Sequence, residues 1–141
     1  MNIKYCPINH RDQRGAIMDI FPSGAPDSVT LITCAPGAIR GNHVHAQSTQ
    51  WLFVISGMIY AYARKPGLDL ERWPNGRIER EVLHPGALLC HNPGEEHAYE
   101  SPVSSVFLAF AHGLRKGDDY ERDTRRVPSL IEAWAEQASA R

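Results

Sequence analysis

Proline and glycine interrupt this chain at short intervals, and that spacing constrains the fold more than any other feature. The interruptions fall at residues 22–24, 35–37, 65–67, 74–76, 85–86 and 93–94. The segments between them are short and rich in β-branched and aromatic residues, a pattern typical of an all-β sandwich or barrel. The predicted strands are residues 28–34, 50–55, 58–63, 78–83 and 104–111.

The end of the chain has a different pattern. Pro128 can open a helix, and Leu130, Ile131, Trp134 and Ala138 recur at helical spacing. We therefore predict one short amphipathic helix, packed on the outside of the barrel or on a partner subunit.

Length and charge limit the classes of protein to which the chain can belong. Its 141 residues suit a single domain over residues 1–141, with a barrel core at about 15–113 and a C-terminal extension and helix at about 114–141. The formal net charge of −1 gives no basic surface for nucleic acid or an anionic membrane. The apolar runs, such as residues 51–55, are too short to span a bilayer.

The cysteines and the N-terminal sequence bear on location. Cys6, Cys34 and Cys90 are an odd, widely spaced set without a CxxC motif, so we expect reduced thiols, at least two of them in the core. The first residues lack the apolar stretch of a signal peptide. We predict a cytoplasmic protein.

Four polar side chains are predicted to converge on one interior site. His43 and His45 are two residues apart in a strand, so both imidazoles point to the same face. Gln50 shares its face with the apolar residues of strand 50–55. His97 follows the turn at residues 92–94, and a barrel can bring it beside the first pair.

The spacing around these residues resembles the two motifs of the cupin superfamily. Gly37, His43, His45 and Gly57 match the first motif, with Gln50 where the family usually has glutamate; Gly86, Gly94 and His97 match the second, with Asn92 in place of proline and Ser101 in place of the last asparagine. The motifs and the segment that joins them cover nearly half the chain. The resemblance implies a cupin double-stranded β-helix, a jelly-roll barrel.

The ligand types are compatible with a divalent metal bound by His43, His45, Gln50 and His97. Three imidazoles suit Zn, Ni or Fe best here, with Mn or Cu also open. Because glutamine is neutral, the ion would keep its full charge and bind more weakly, or Gln50 would contact substrate instead. We do not expect His91 to be a ligand, and we expect His10, His84 and His112 to be exposed or structural.

The local string from Arg40 to His45 resembles that of cupins that rework nucleotide-linked keto sugars, namely dTDP-hexose ketoisomerases and epimerases and the C-terminal cupin domain of capsular-polysaccharide UDP-sugar enzymes. Residues 123–127 also resemble the chain end of that capsular domain. Such chemistry removes a proton next to a carbonyl, a task suited to His43 or His45. Arg40 would stabilise the enolate or hold a diphosphate, and Tyr99, on the same face as His97, would donate a proton.

Two other functions are compatible with the sequence. A metal-dependent dioxygenase acting on a small organic substrate would use the same three histidines and leave positions open for O₂. A non-enzymatic cupin that binds a small molecule is the other alternative. In each case we expect a small-molecule ligand and a homodimer, because a barrel of this size leaves strand edges that need covering.

Overall fold

The structure is a computed structural model that describes residues 1–21, 24, 26–65, 71–72, 74–113 and 117–140. The predicted turns at 22–24 and 65–67 lie largely outside the described residues. The strands are β1 (Asn2–Tyr5), β2 (His10–Asp12), β3 (Gly15–Ile17), β4 (Ser28–Cys34), β5 (Ala38–His45), β6 (Thr49–Ser56), β7 (Ile59–Lys65), β8 (Arg77–Leu83), β9 (Ala87–His91), β10 (His97–Ser101), β11 (Ser105–His112) and β12 (Thr124–Arg126), and the helices are α1 (Gly117–Asp123) and α2 (Leu130–Ser139).

The strands form two five-stranded antiparallel sheets, which confirms the predicted jelly-roll fold. One sheet has the order β1-β9-β6-β11-β4 and the other the order β12-β5-β10-β7-β8. The hairpin β2–β3 forms a small separate sheet. All five predicted strands are present, with ends within two residues of the prediction. Neither described helix is long and apolar enough to cross a membrane.

The interior between the sheets has two chemically different parts. The part that we call the apolar half is a cluster of nine buried residues: Cys34, Leu52, Val54, Ile59, Ala61, Leu83, Ala87, Leu89 and Phe107. Farther along the same strands the inward positions become polar, because His91 continues the inward series of Leu89 and Gln50 continues that of Leu52. We call His43, His45, His91 and His97 the histidine half.

Helix α2 packs on the outer face of the second sheet of its own chain, as one of the two predicted arrangements requires. Leu130 is fully buried there, in a cluster with Tyr62, Ile78 and Ala98. Ser129 caps the helix by accepting a hydrogen bond from the amide of Glu132 at 3.2 Å.

The predicted apolar face of α2 is wrong at one position, because Ala138 is exposed. Gln137 is buried instead. Its side chain accepts a hydrogen bond from the amide of Ile78 at 2.9 Å and donates one to the carbonyl oxygen of the same residue at 2.8 Å. Ile78 lies on the last strand of its sheet. Gln137 therefore satisfies backbone groups that a further strand would otherwise bind.

The three cysteines are free thiols, as expected. Cys6 and Cys34 are buried within apolar clusters, which confirms the prediction that at least two of them are core residues.

Candidate active site

A β-bulge in β5 shapes the strand that carries two of the histidines. His43 lies opposite His97 on β10, whereas Gly41 lies opposite Ala98, so Asn42 has no opposite residue on that strand. Gly41 and Asn42 both have left-handed backbones, with φ of 84° and 54°. A Cβ atom on Gly41 would lie 2.9 Å from the carbonyl oxygen of His97. Glycine is therefore required at this close approach.

The bulge brings Arg40 to the same side of the sheet as the histidines. Tyr99 lies opposite Arg40, and His97 lies opposite His43. Residues opposite each other in an antiparallel pair share a face, and so do residues two apart in one strand. Arg40, His43, His97 and Tyr99 therefore face the same side, although Arg40 and His43 are three positions apart. Without the extra residue, Arg40 would point away.

The three predicted histidine ligands converge. One ligand nitrogen from each of His43, His45 and His97 lies within 4.8 Å of the other two. The ring centroid of His43 is 4.6 Å from that of His45 and 4.7 Å from that of His97. His45 and His97 are buried, and His43 is partly exposed.

A buried carboxylate lies behind His45. The side chain of Asp123 is fully buried, and its Oδ2 is 3.8 Å from Nδ1 of His45. Asp123 accepts hydrogen bonds from the amide of Gln47 at 2.7 Å and from the hydroxyl of Ser48 at 2.5 Å. The hydroxyl of Thr124 lies 3.1 Å from the same Nδ1. The 3.8 Å contact is too long for a hydrogen bond, but a carboxylate at that distance can stabilise a positive charge on the ring.

His91 and Glu95 extend the histidine half in a way that the sequence did not predict. The ring of His91 stacks on that of His97, with centroids 4.2 Å apart and planes 10° apart. Its Nδ1 is 2.6 Å from Oε1 of Glu95, which also lies 3.2 Å from the amino group of Met1. Burial lowers the pKa of His91, and burial together with the neighbouring imidazoles lowers that of His97 well below its ordinary value. Both rings are therefore neutral at pH 7.

A cavity of about 190 Å³ opens beside the histidines. Its lining joins polar groups from the predicted site to apolar residues from the interior: Ile32, Arg40, Gly41, His43, Gln50, Trp51, Leu52, Tyr99, Phe107 and Ala109. The cavity thus brings together His43, Gln50, Arg40 and Tyr99, all of which were predicted site residues. His45 and His97 lie deeper, outside the lining.

Two polar residues of the cavity lining, Arg40 and Tyr99, differ in how they can interact with a ligand. The Arg40 guanidinium donates to the carbonyl oxygen of Thr33 at 2.9 Å and to the sulfur of Cys34 at 3.3 Å, which holds it in place while leaving further N–H groups. Burial raises the pKa of Tyr99 well above its ordinary value, with the charge of Glu95 adding to the effect. Tyr99 is therefore a protonated hydroxyl at neutral pH.

The other histidines lie as expected. His10, His84 and His112 are exposed. His10 contacts Asp12 at 3.2 Å, and His112 contacts Asp27 at 3.2 Å.

Comparisons with known proteins agree with this architecture. Residues 10–69 match the family model of the polysaccharide biosynthesis C-terminal domain. No curated protein sequence matches the chain. The structure is similar to the sugar 3,4-ketoisomerase QdtA from Thermoanaerobacterium thermosaccharolyticum, solved in complex with TDP, at 18% identity and a TM-score of 0.68, over 99% of this chain and 96% of that one.

Two further solved structures show the same likeness. The dTDP-6-deoxy-D-glucose-3,5-epimerase RmlC from Legionella pneumophila is 15% identical, with a TM-score of 0.72 over 94% of this chain and 75% of that one. The capsular polysaccharide assembling protein CapF from Staphylococcus aureus is 17% identical, with a TM-score of 0.62 over 88% of this chain and only 33% of that longer one. The two sheets and these likenesses agree, and the chain has the RmlC-like cupin fold.

Proposed function

We propose that the protein is an isomerase or epimerase that acts on a nucleotide-linked keto sugar in polysaccharide biosynthesis. The observation that carries this proposal is the cavity in which His43, Arg40 and Tyr99 meet, with His45 and the buried Asp123 behind them. A base, a cation and a hydroxyl around one small cavity are the groups that proton transfer next to a carbonyl requires. The similarity to a ketoisomerase and an epimerase agrees with this reaction class.

We assign proton abstraction to His43, because it is the imidazole that lines the cavity. The rings of His43 and His45 make an edge contact with centroids 4.6 Å apart, and Nδ1 of His45 lies 3.8 Å from Oδ2 of Asp123. As His43 gains a proton, the carboxylate of Asp123 stabilises the positive charge that develops in the pair. His45 is thus the second half of the base rather than a separate one.

Arg40 and Tyr99 face the charge that develops on the sugar. Loss of an α-proton gives an enolate oxygen, which needs a donor or a positive charge close by. The remaining N–H groups of Arg40 supply the charge. The neutral hydroxyl of Tyr99 is the donor that returns a proton to carbon or oxygen.

The size of the cavity indicates which part of the substrate it accommodates. Pockets that enclose a whole drug-sized ligand measure roughly 300–1,000 Å³. A cavity of about 190 Å³ suits the reacting sugar ring alone. The diphosphate and base of the substrate would therefore lie at its mouth, where Arg40 is exposed.

The same histidines fit a divalent cation, which remains a proposal. Three ligand nitrogens lie within 4.8 Å of one another, and Nε2 of the buried His97 has no hydrogen-bond partner among the described residues. His43, His45 and His97 would hold Zn, Ni or Fe, with the amide oxygen of Gln50 as the fourth ligand. A bound ion would supply Lewis acidity to an oxygen of the substrate. This three-histidine cluster is also the observation that favours the second candidate, a metal-dependent dioxygenase.

Deuterium exchange separates the candidates. The protein, without a His-tag, is incubated in D₂O with dTDP- and UDP-linked 4-keto-6-deoxy sugars. We expect deuterium at the carbon next to the ketone, and we measure metal content in the same sample. Consumption of O₂ by an iron- or copper-loaded protein without exchange on any keto sugar would support the dioxygenase and reject the isomerase. Ligand binding without either reaction would indicate a binding protein.

We also propose a homodimer. The end strand β4 exposes Val29 and Leu31 at 60% and 63%, and the hairpin β2–β3 exposes Ile17 at 59%. Because α2 packs on its own chain, the N-terminal segment is the remaining means of covering an edge in a second copy. Light scattering should show a dimer that Leu31→Lys dissociates and Val82→Lys, at another exposed apolar site, does not. A stable wild-type monomer at micromolar concentration would refute this.

A further inference from the structure

Glu95 lies in the turn between β9 and β10, two strands that belong to different sheets. It contacts the last residue of one strand and the first residue of the other. Its Oε1 is 2.6 Å from Nδ1 of His91, and its backbone carbonyl oxygen is 2.9 Å from Nδ1 of His97. A single residue thus binds the same ring position of two stacked histidines.

The chemistry of the acceptors decides where each imidazole carries its proton. The 2.6 Å between Nδ1 of His91 and Oε1 of Glu95 is the length of a short, charge-assisted hydrogen bond in which the carboxylate accepts. Carboxylate and carbonyl oxygens can only accept hydrogen bonds. His91 and His97 must therefore both donate from Nδ1. With the proton on Nδ1 of each ring, the lone pair of each imidazole lies on Nε2.

Both of these lone pairs are buried. His91 and His97 are each 1% exposed, and within the described part of the chain neither Nε2 has a hydrogen-bond partner. The near-parallel stacking of the rings at 4.2 Å holds their planes together. A misplaced proton on His97 would turn an acceptor into a donor at the point where it meets His43.

We propose that Glu95 is a positioning residue that fixes the Nδ1–H tautomer of His91, and that His91, stacked on His97, belongs to the site as its fourth imidazole. The His91–Glu95 pair keeps His97 in the plane and tautomer that direct its Nε2 lone pair toward the other histidines. His91 acts through His97 and is not assigned a contact with substrate. The effect on rate rests on the proposed function, whereas the tautomers do not.

Long-range ¹H–¹⁵N correlation spectra of the imidazoles test the proposal in the protein without substrate, because the two neutral tautomers give different nitrogen shifts. His91→Asn and His97→Asn assign the signals. We expect Nδ1–H for both rings at pH 7. In Glu95→Leu, His91 should lose this preference, while His97, whose acceptor is a backbone oxygen, should largely keep it. Glu95→Gln should retain it, since its amide oxygen accepts the same hydrogen bond.

Glu96→Leu is the matched control. Glu96 is the neighbouring carboxylate, and it binds Arg64 at 2.7 Å rather than a histidine. This variant should leave both tautomers unchanged. An Nε2–H tautomer at His91 in the wild-type protein would overturn the proposal, even if Glu95→Leu fails to fold. So would a folded Glu95→Leu with an unchanged His91.

Kinetics give the second readout. Loss of a partner that orients a ligand or catalytic histidine typically lowers activity about 10–100-fold. We expect Glu95→Leu to lower kcat for deuterium exchange by that factor with little change in KM, and Glu95→Gln to restore it. A wild-type protein that shows the predicted tautomers but exchanges no keto sugar would contradict the proposed function and leave the role of Glu95 intact. Equal kcat values for Glu95→Leu and wild type, with exchange present, would contradict that role.

Discussion

The apolar half and the histidine half of the interior lie between the same two sheets, yet they are built on opposite principles. In the apolar half, Leu52, Val54 and Leu89 are 2% exposed or less and bury no polar side-chain atom. In the histidine half, His91 and His97 are buried as deeply, but each leaves a ring nitrogen without a partner among the described residues. Burying such a group opposes folding. The first half therefore stabilises the arrangement that the second half needs for binding and chemistry.

The largest effect is expected when the proposed general base, His43, is removed. His43→Ala should lower deuterium exchange by about 10²–10⁴-fold, the usual effect of losing one general base. The free energy of unfolding should change little, because His43 is only partly buried. Exchange kinetics and urea unfolding measure the two effects. His84→Ala, at an exposed histidine, is the control, and equal exchange rates for His43→Ala and wild type would remove His43 from the mechanism.

Truncation in the apolar half should give the reverse result. Leu89 is fully buried and lies outside the cavity lining. Leu89→Ala should lower the free energy of unfolding by about 2–5 kcal/mol through lost burial and a residual cavity. The folded fraction should still exchange deuterium. Val103→Ala, at an exposed apolar site, should have a much smaller effect; a similar loss at both positions would contradict the assigned core.

The bulge in β5 can be tested by adding one methyl group at Gly41. Gly41→Ala should destabilise the protein by about 1–3 kcal/mol and lower exchange, because the left-handed backbone is strained and the Cβ would press on the strand of His97. Gly37→Ala is a matched control with almost the same φ, 83°, and open space around the Cβ. Thermal unfolding and exchange should show the backbone effect alone in Gly37→Ala. An undiminished exchange rate in Gly41→Ala would show that the bulge does not set the site.

Acid should reveal the histidine half by its effect on stability. The pKa values of His91 and His97 are lowered in the folded protein, so below the ordinary value of 6.5 the unfolded chain binds more protons. The free energy of unfolding should then fall with decreasing pH by at most about 1.4 kcal/mol per pH unit and histidine. Above pH 6.5 the contribution vanishes. The free energy of unfolding is measured by urea titration at several pH values, for wild type and His91→Phe, both treated with a chelator to remove any metal. Its slope against pH should differ between the two proteins from pH 5 to 6.5, and identical slopes would contradict the lowered pKa of His91.

The predictions that succeeded rest on local spacing. The His43–His45 repeat and the glycines around it indicated one face of one strand, and the second motif placed His97 beside them. The consecutive Gly41 and Asn42 also carried a signal for a left-handed bulge, but its consequence for Arg40 depends on the register with β10. Sequence periodicity does not give that register.

The residues that were missed are held by distant or turn geometry. Asp123 contacts Ser48 and His45 across more than 70 positions, a separation that no local sequence pattern records. Glu95 and Glu96 are consecutive acids in one turn, and no sequence pattern separates them. Only the direction of its side chain toward His91, and that of Glu96 toward Arg64, distinguishes them.

The bulged residue Asn42 gives the site a remote spectroscopic reporter. Its carbonyl oxygen accepts a hydrogen bond from the amide of Val127, and its side-chain oxygen accepts one from the amide of Leu130 at the start of α2, both at 2.9 Å. Amide proton shifts depend strongly on hydrogen-bond length. A ligand that moves β5 beside His43 should therefore shift the amide signals of Val127 and Leu130, which lie on the outer side of the sheet. Fragment screening by protein NMR could follow these two resonances and detect ligands without a functional assay.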